Sequence, residues 1–210
     1  MDLYINTYCS IVPNLALAKG FKYESEGKDF NSFMRQLYGV SSLDYPKFFK
    51  MDNLSKLGFI TSELMLKDFD LENHDKENIG VVISNGNSSS DTDQSFYDTI
   101  KNKEDYFPSP ALFVYTLPNI MIGEICIKNK ITGENGFFIS QTFDHDFIND
   151  YVRNLFHKGT VTCCIVGWVD FTAREYNSFL YLVSAANTDD AIPFTSEKTQ
   201  NLYSIVFKHE

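Results

Sequence analysis

A thiol is the strongest nucleophile this chain can offer, and it has four: Cys9, Cys126, Cys163 and Cys164. A reactive cysteine needs a cation or a helix N-terminus beside it to lower its pKa. Cys126 sits in ICIK, and Cys163 and Cys164 sit in TVTCCIVGWVD, so the thiols read as small core residues. No CxxC pair is present to suggest a zinc or redox site. Four histidines could serve as bases or ligands: His74, His145, His157 and His209. His145 and His157 flank one amphipathic segment and are not expected to meet. Asp144-His145-Asp146 carries metal-ligating types, but Asp144 is better placed as a helix N-cap. The strand–loop–helix IGVVISNGNSSSD could turn backbone N–H groups toward an anion. It lacks a Lys and the GxxxxGK[ST] spacing, so a side-chain-capped turn is the expectation. The acid pairs Asp91/Asp93 and Asp189/Asp190 read as solvated loop surface. Neither GxSxG nor a Ser-His-Asp spacing is evident. No metal and no cofactor is expected.

The whole chain narrows the field further. Its 210 residues suit one domain, expected over residues 1–210. A hydrophobic fraction of 43% with 19 Phe can build a core, which excludes global disorder. The net charge is −10, with 18 basic against 28 acidic residues. Binding nucleic acid requires clustered Lys and Arg, so it is disfavoured, as is an anionic membrane surface. No apolar run is long enough to span a bilayer. The N-terminus MDLYINTYCS lacks a basic n-region and is not expected to be a secretory signal. Unpaired apolar cysteines fit a reducing compartment, so a cytoplasmic protein is expected.

Strands and helices alternate along the sequence. Residues 3–12 read as a strand, 20–40 as loop or short helix, and a helix starts after Asp52. IGVVIS (79–84) is a continuous apolar run, as in strands buried on both faces. A helix near 92–102, a helical stretch over 109–128 and a short strand GFFIS follow. DHDFINDYVRNLFHKG is an amphipathic helix with Gly159 as its stop. TVTCCIVGWVD, SFLYLVS (178–184) and LYSIVF (202–207) read as three more strands. This order predicts an α/β domain with a mixed, mostly parallel sheet layered with helices.

Residues 109–135, SPALFVYTLPNIMIGEICIKNKITGEN, resemble a segment of β-ketoacyl synthases. That segment runs "SP…F…LPN…G.ISI…G..GPN" toward the catalytic cysteine. The matching positions are Ser109, Pro110, Phe113, Leu117, Pro118, Asn119, Gly123, Ile125, Ile127, Gly133 and Asn135. DNLSKLGFITSEL is similar to the family's N-terminal helix, IGVVISNGN to its "GVVVGTG" strand and TVTCCIVGWVD to its "D.VLAGG.E" strand. The likeness spans residues 1–170 and implies a thiolase-like half fold.

The departures from the family are informative. The place of the family's nucleophilic cysteine falls on Gln141 or Thr142. Gln cannot carry an acyl thioester, and an unactivated Thr hydroxyl is a poor nucleophile. The family's second half, with its two decarboxylation histidines, has no counterpart in these residues. Such a chain resembles chain-length factors, the inactive partners of ketosynthases in fatty acid, polyketide and aryl-polyene pathways. The resemblance then implies a full-length β-ketoacyl-ACP synthase as partner, with acyl carrier protein engaged only indirectly. Thiolase-like folds dimerise across the strand after the GPN motif, which points to Phe137, Phe138 and Ile139 as interface residues. It also implies that Phe113, Thr116, Leu117 and Ile120, at i, i+3, i+4, i+7 spacing, lie on one helix beside the acyl tunnel. A half fold is further expected to leave sheet or helix faces bare. The competing readings are a stand-alone interaction module and a minimal acyltransferase homodimer using Cys126 or Thr142.

Overall fold

The structure is a computed structural model and describes residues 1–26, 29–67, 69–104 and 106–207. Its centre is a mixed sheet in the order β3-β2-β1-β7-β6-β4-β5. The strands are β1 (Tyr4–Val12), β2 (Leu15–Ala18), β3 (Phe21–Glu24), β4 (Ile79–Asn85), β5 (Asn135–Ile139), β6 (Cys163–Phe171) and β7 (Tyr176–Ser184). A two-residue β8 (Ile192–Pro193) pairs with the start of β1. β4 pairs in parallel with both β5 and β6, and the remaining ladders are antiparallel. In direction, β1, β3, β4, β5 and β6 run one way and β2, β7 and β8 the other.

Alternation along the buried strands builds two cores. Val81, Ile83, Cys163 and Ile165 face one layer, while Val82, Cys164, Val166 and Trp168 face the other. The first layer holds α1 (Phe30–Val40), α2 (Asn53–Leu66) and α5 (Ile120–Asn129). α2 is buried nearly all round, and Asp52 caps it by accepting from Ser55 N at 2.9 Å. Gly58 lets α5 press in: a Cβ there would strike the Met121 thioether. The second layer holds α6 (His145–His157) and α7 (Ser196–Phe207). α3 (Ser90–Asp98) and the short α4 (Pro110–Val114) lie in the connection from β4 to α5.

Four expectations change. LYSIVF is helical, as the end of α7, with Thr195 Oγ1 accepting from Lys198 N at 3.3 Å. A short apolar run reads the same in either period, and the cap lay outside it. Residues 20–40 form β3 and an amphipathic α1 that buries Phe33, Met34 and Leu37, with Asp29 capping through Ser32 N. The stretch 109–128 is two helices broken at Tyr115–Asn119, where Pro118 cannot donate. The second sheet face is also less bare than expected, because α7 covers part of it. Thr199 is fully buried and accepts from Asn149 Nδ2, while the Tyr181 hydroxyl donates to Asn149 Oδ1.

Candidate partner interface and the nucleophile position

The position that the resemblance assigns to the nucleophile is polar and exposed. Gln141 and Thr142 lie in the link between β5 and α6, both exposed. Ser140 N donates to the Asn85 carbonyl at 3.0 Å, and its hydroxyl donates to the Thr142 carbonyl at 2.8 Å. The α6 N-terminus that follows is already compensated. Asp144 accepts from Phe147 N at 3.0 Å, and Asp146 adds a second carboxylate in the first turn. His145 Nδ1 lies 2.7 Å from Ser196 Oγ, whose proton goes to the Asp146 carboxylate in a short contact. A serine, a histidine and an aspartate thus meet here, a juxtaposition the sequence did not reveal. One imidazole nitrogen, Nδ1, faces both the serine at 2.7 Å and the carboxylate at 3.5 Å, so the ring does not stand between the two as in a hydrolytic triad, and the group ties α6 to α7.

Burial disfavours the thiolate at all four cysteines. Burial pushes Cys126 up to about 11 and Cys163 up to about 12, and it raises Cys9 and Cys164 as well. At neutral pH a thiol near 11 is ionised to about one part in ten thousand. The NGNSSS turn is equally occupied by its own chain. Asp170 Oδ1 accepts from Gly86 N at 3.2 Å and Asn87 N at 3.0 Å, and Asn85 Oδ1 accepts from Ser88 N. An anion there would have to displace a carboxylate. Among the described residues no group of three or more His, Cys, Asp or Glu is arranged to hold a metal.

The two ends of the sheet contrast. The β3 edge carries a Lys22–Glu24 ion pair, the charged protection usual for an open strand. β5 has the sequence NGFFI, with no charge and no proline, and no further strand covers it among the described residues. Val81 N bonds the Glu134 carbonyl and Ser140 N bonds the Asn85 carbonyl, so alternate residues turn toward β4. By that alternation Asn135, Phe137 and Ile139 turn their backbone groups to the open edge. Phe137 packs into the first core and Phe138 into the second. Ile139 is 57% exposed. Phe138 meets Phe147 and Tyr151 of α6, with ring centroids 4.9 and 5.0 Å apart. Phe147 and Tyr151, at i, i+4 spacing on α6, join Phe138 beside the edge, a grouping that the sequence reading did not single out.

The proposed tunnel positions do not share one helix. Phe113 is in α4, Thr116 and Leu117 are in the break, and Ile120 opens α5. Phe113 and Leu117 are 60% and 58% exposed, and Phe113 leans on Phe96 of α3 at 5.4 Å. Ser89 Oγ donates to the Thr116 carbonyl at 2.8 Å, which fixes the break against α3. Below it lies buried Glu124, which accepts from the Tyr115 hydroxyl at 3.0 Å. The Lys47 ammonium is 2.8 Å from the other Glu124 oxygen, an ion pair outside hydrogen-bond angles. Burial, then the Glu124 hydrogen bond, raises the Tyr115 phenol. On α5, Ile127 is exposed and Gly123 opens onto empty space, one turn from Ile120 and from Ile127.

No family model and no curated protein sequence matches the chain. Solved structures do. The ishigamide ketosynthase/chain length factor matches with a TM-score of 0.68 at 17% identity, over 92% of this chain and 64% of that one. A second match is a type II polyketide ketosynthase, AntDE, in complex with its acyl-carrier protein AntF. It has a TM-score of 0.62 at 13% identity, over 88% and 62% of the two chains. A third is the ketosynthase ApeO in complex with its chain length factor ApeC, from Xenorhabdus doucetiae. That match has a TM-score of 0.61 at 12% identity and covers 98% of this chain and 92% of the matched one. The chain thus spans less than two thirds of the first two matches and nearly all of the third. These likenesses show the fold, which is that of ketosynthases and their chain-length factors.

Proposed function

We propose that this ketosynthase-like fold serves as a non-catalytic, chain-length-factor-type subunit that pairs with an active β-ketoacyl-ACP synthase. The observation that carries the reading is the bare, uncharged β5 edge beside a nucleophile position that holds Gln141 and Thr142. An unprotected edge with aromatic neighbours favours a covering partner, since an open one invites aggregation. The absence of an activated thiol among the described residues leaves the acyl-transfer step to that partner. Acyl carrier proteins are acidic, so a chain at −10 is a poor dock and the ketosynthase would receive the carrier. Phe113, Thr116, Leu117 and Ile120 would then form a wall at the subunit boundary instead of inside this chain. Condensation takes place in the cytoplasm in this reading; no helix of the described residues is long and apolar enough to cross a membrane.

The test is reconstitution with a full-length β-ketoacyl-ACP synthase from the same genome and malonyl-loaded carrier protein. Stable one-to-one association is expected, with condensation only when both chains are present. Cys126→Ser should leave that activity unchanged, and Phe113→Ala or Ile120→Ala should lengthen the products. A chain that purifies alone and alters neither rate nor product length refutes the reading. Loss of activity with Cys126→Ser would instead favour an acyltransferase.

A further inference from the structure

In the first layer, α1 and α2 bring together two cations that no ion pair neutralises. With the 3-10 turn over Pro46–Lys50 they bound a cavity of about 50 Å3, lined by Asn31, Met34, Arg35, Phe48, Phe49 and Lys56. Met34 and Phe48 are buried, while Phe49 is half-exposed. Asn31 and Arg35 stand one turn apart on α1. Lys56 reaches across from α2, its ammonium 3.5 Å from Asn31 Oδ1. Elsewhere Lys19, Lys22, Lys47, Lys76, Lys101 and Lys128 each lie against a carboxylate. Arg35 and Lys56 have no such partner among the described residues, in a chain of net charge −10. The nearest carboxylates on their own helices serve as caps. Asp29 accepts from Ser32 N at 3.0 Å and from the Ser32 hydroxyl at 2.6 Å. Asp52 accepts from Ser55 N at 2.9 Å and from the Thr92 hydroxyl at 2.7 Å. Burial lowers the Lys56 pKa, the Asp52 charge opposes this, and the Arg35 charge adds to it.

Two like charges on one small cavity repel, and an anion between them turns that repulsion into attraction. The polar groups here offer such an anion donors only. Arg35 has a planar fork that matches an oxyanion two bonds at a time, and Lys56 adds a point charge. The Asn31 amide oxygen is turned to Lys56, which leaves its NH2 group as a further donor. The cavity has room for roughly three or four waters, the bulk of one tetrahedral oxyanion. We propose that Asn31, Arg35 and Lys56 bind a phosphate-type oxyanion, either free or as the head of a small phosphoester. Phe49 lies beside the cations, and Tyr38 steadies its ring with centroids 4.8 Å apart. That half-exposed ring gives the body of a phosphoester a surface to stack on. The NGNSSS turn contrasts with this site, because Asp170 already fills it. The proposal is independent of whether a partner covers β5.

Titration of the full chain with sodium phosphate at neutral pH and fixed ionic strength tests this, followed by NMR of the backbone amides and the Met34 methyl. Saturable shifts are expected over residues 31–35 and 46–56, with a Kd on the order of 1 mM. Arg35→Gln and Lys56→Gln should each weaken binding at least about tenfold, the loss of one charge-assisted hydrogen bond. Lys158→Gln, at the exposed end of α6, should leave it unchanged. The same spectra check that each variant is folded. Adenosine monophosphate separates the two sources of phosphate. Binding about tenfold tighter than phosphate, and weakened by Phe49→Ala, assigns the site to a phosphoester; equal binding assigns it to the free ion. Shifts that do not saturate, that sodium chloride reproduces at equal ionic strength, or that survive both charge substitutions overturn the proposal. So does adenosine binding as tightly as its monophosphate. None of these results touches the ketosynthase reading, which stands or falls on reconstitution.

Discussion

Ile139→Asp is expected to weaken association with a ketosynthase a hundredfold or more while leaving the isolated chain folded. The two effects separate because Ile139 is more than half exposed in the free chain. An exposed apolar residue changed to a charged one shifts folding stability by only about 0.5 kcal/mol. In a complex that continues the sheet past β5, the same side chain is covered. An unpaired carboxylate buried there costs about 3–5 kcal/mol, and each 1.4 kcal/mol is about tenfold in affinity. Titration calorimetry against the ketosynthase reads the loss, and urea unfolding of the free chain reads the control. An equal loss of stability would show that Ile139 supports the fold and says nothing about a partner.

Gly167→Ala is expected to do the reverse and unfold the chain itself. Gly167 has φ at 152°, a conformation that residues with a Cβ rarely adopt. It lies in the middle of β6, paired with Leu180 of β7. A Cβ there would strike the Phe179 carbonyl oxygen and crowd the Leu180 backbone. These are backbone atoms of the strand between β6 and β1, so relief requires parting the centre of the sheet. The loss should exceed about 4 kcal/mol, the range reserved for severe backbone or core damage. Gly123→Ala is the paired control. Its Cβ would meet open space on α5, and Ala in a helix is about 0.5–1 kcal/mol better than Gly. Urea unfolding should therefore show one glycine as indispensable and the other as a handicap to the free chain.

What could be read from the sequence followed physical signal strength. IGVVIS and TCCIVGWVD declare themselves, because strands buried on both faces are apolar at every position. The α2 start was equally plain, since Asp52 caps a run of apolar residues. LYSIVF failed because six residues sample too little of either period, and its helix begins at Ser196, six residues earlier. The spacing of Phe113, Thr116, Leu117 and Ile120 fits a helix, but Pro118 in their midst breaks it. Phe137, Phe138 and Ile139 read as a short strand, and they lie in β5; the resemblance alone carries their place at an interface. The Glu124–Tyr115–Lys47 group was invisible, since Lys47 lies far from the other two in sequence and meets them only in space.

Amide hydrogen exchange on β5, free and with the ketosynthase, is the most direct probe of the pairing. The amides of Phe137 and Ile139 face the open edge, while those of Gly136 and Phe138 are turned toward β4. In the free chain the outward pair should exchange fast and the inward pair slowly. Covering the edge should slow Phe137 and Ile139 by about a hundredfold or more, the protection expected of amides joined to a stable ladder. If the complex forms and these two amides still exchange as in the free chain, the partner binds elsewhere and β5 is not the interface.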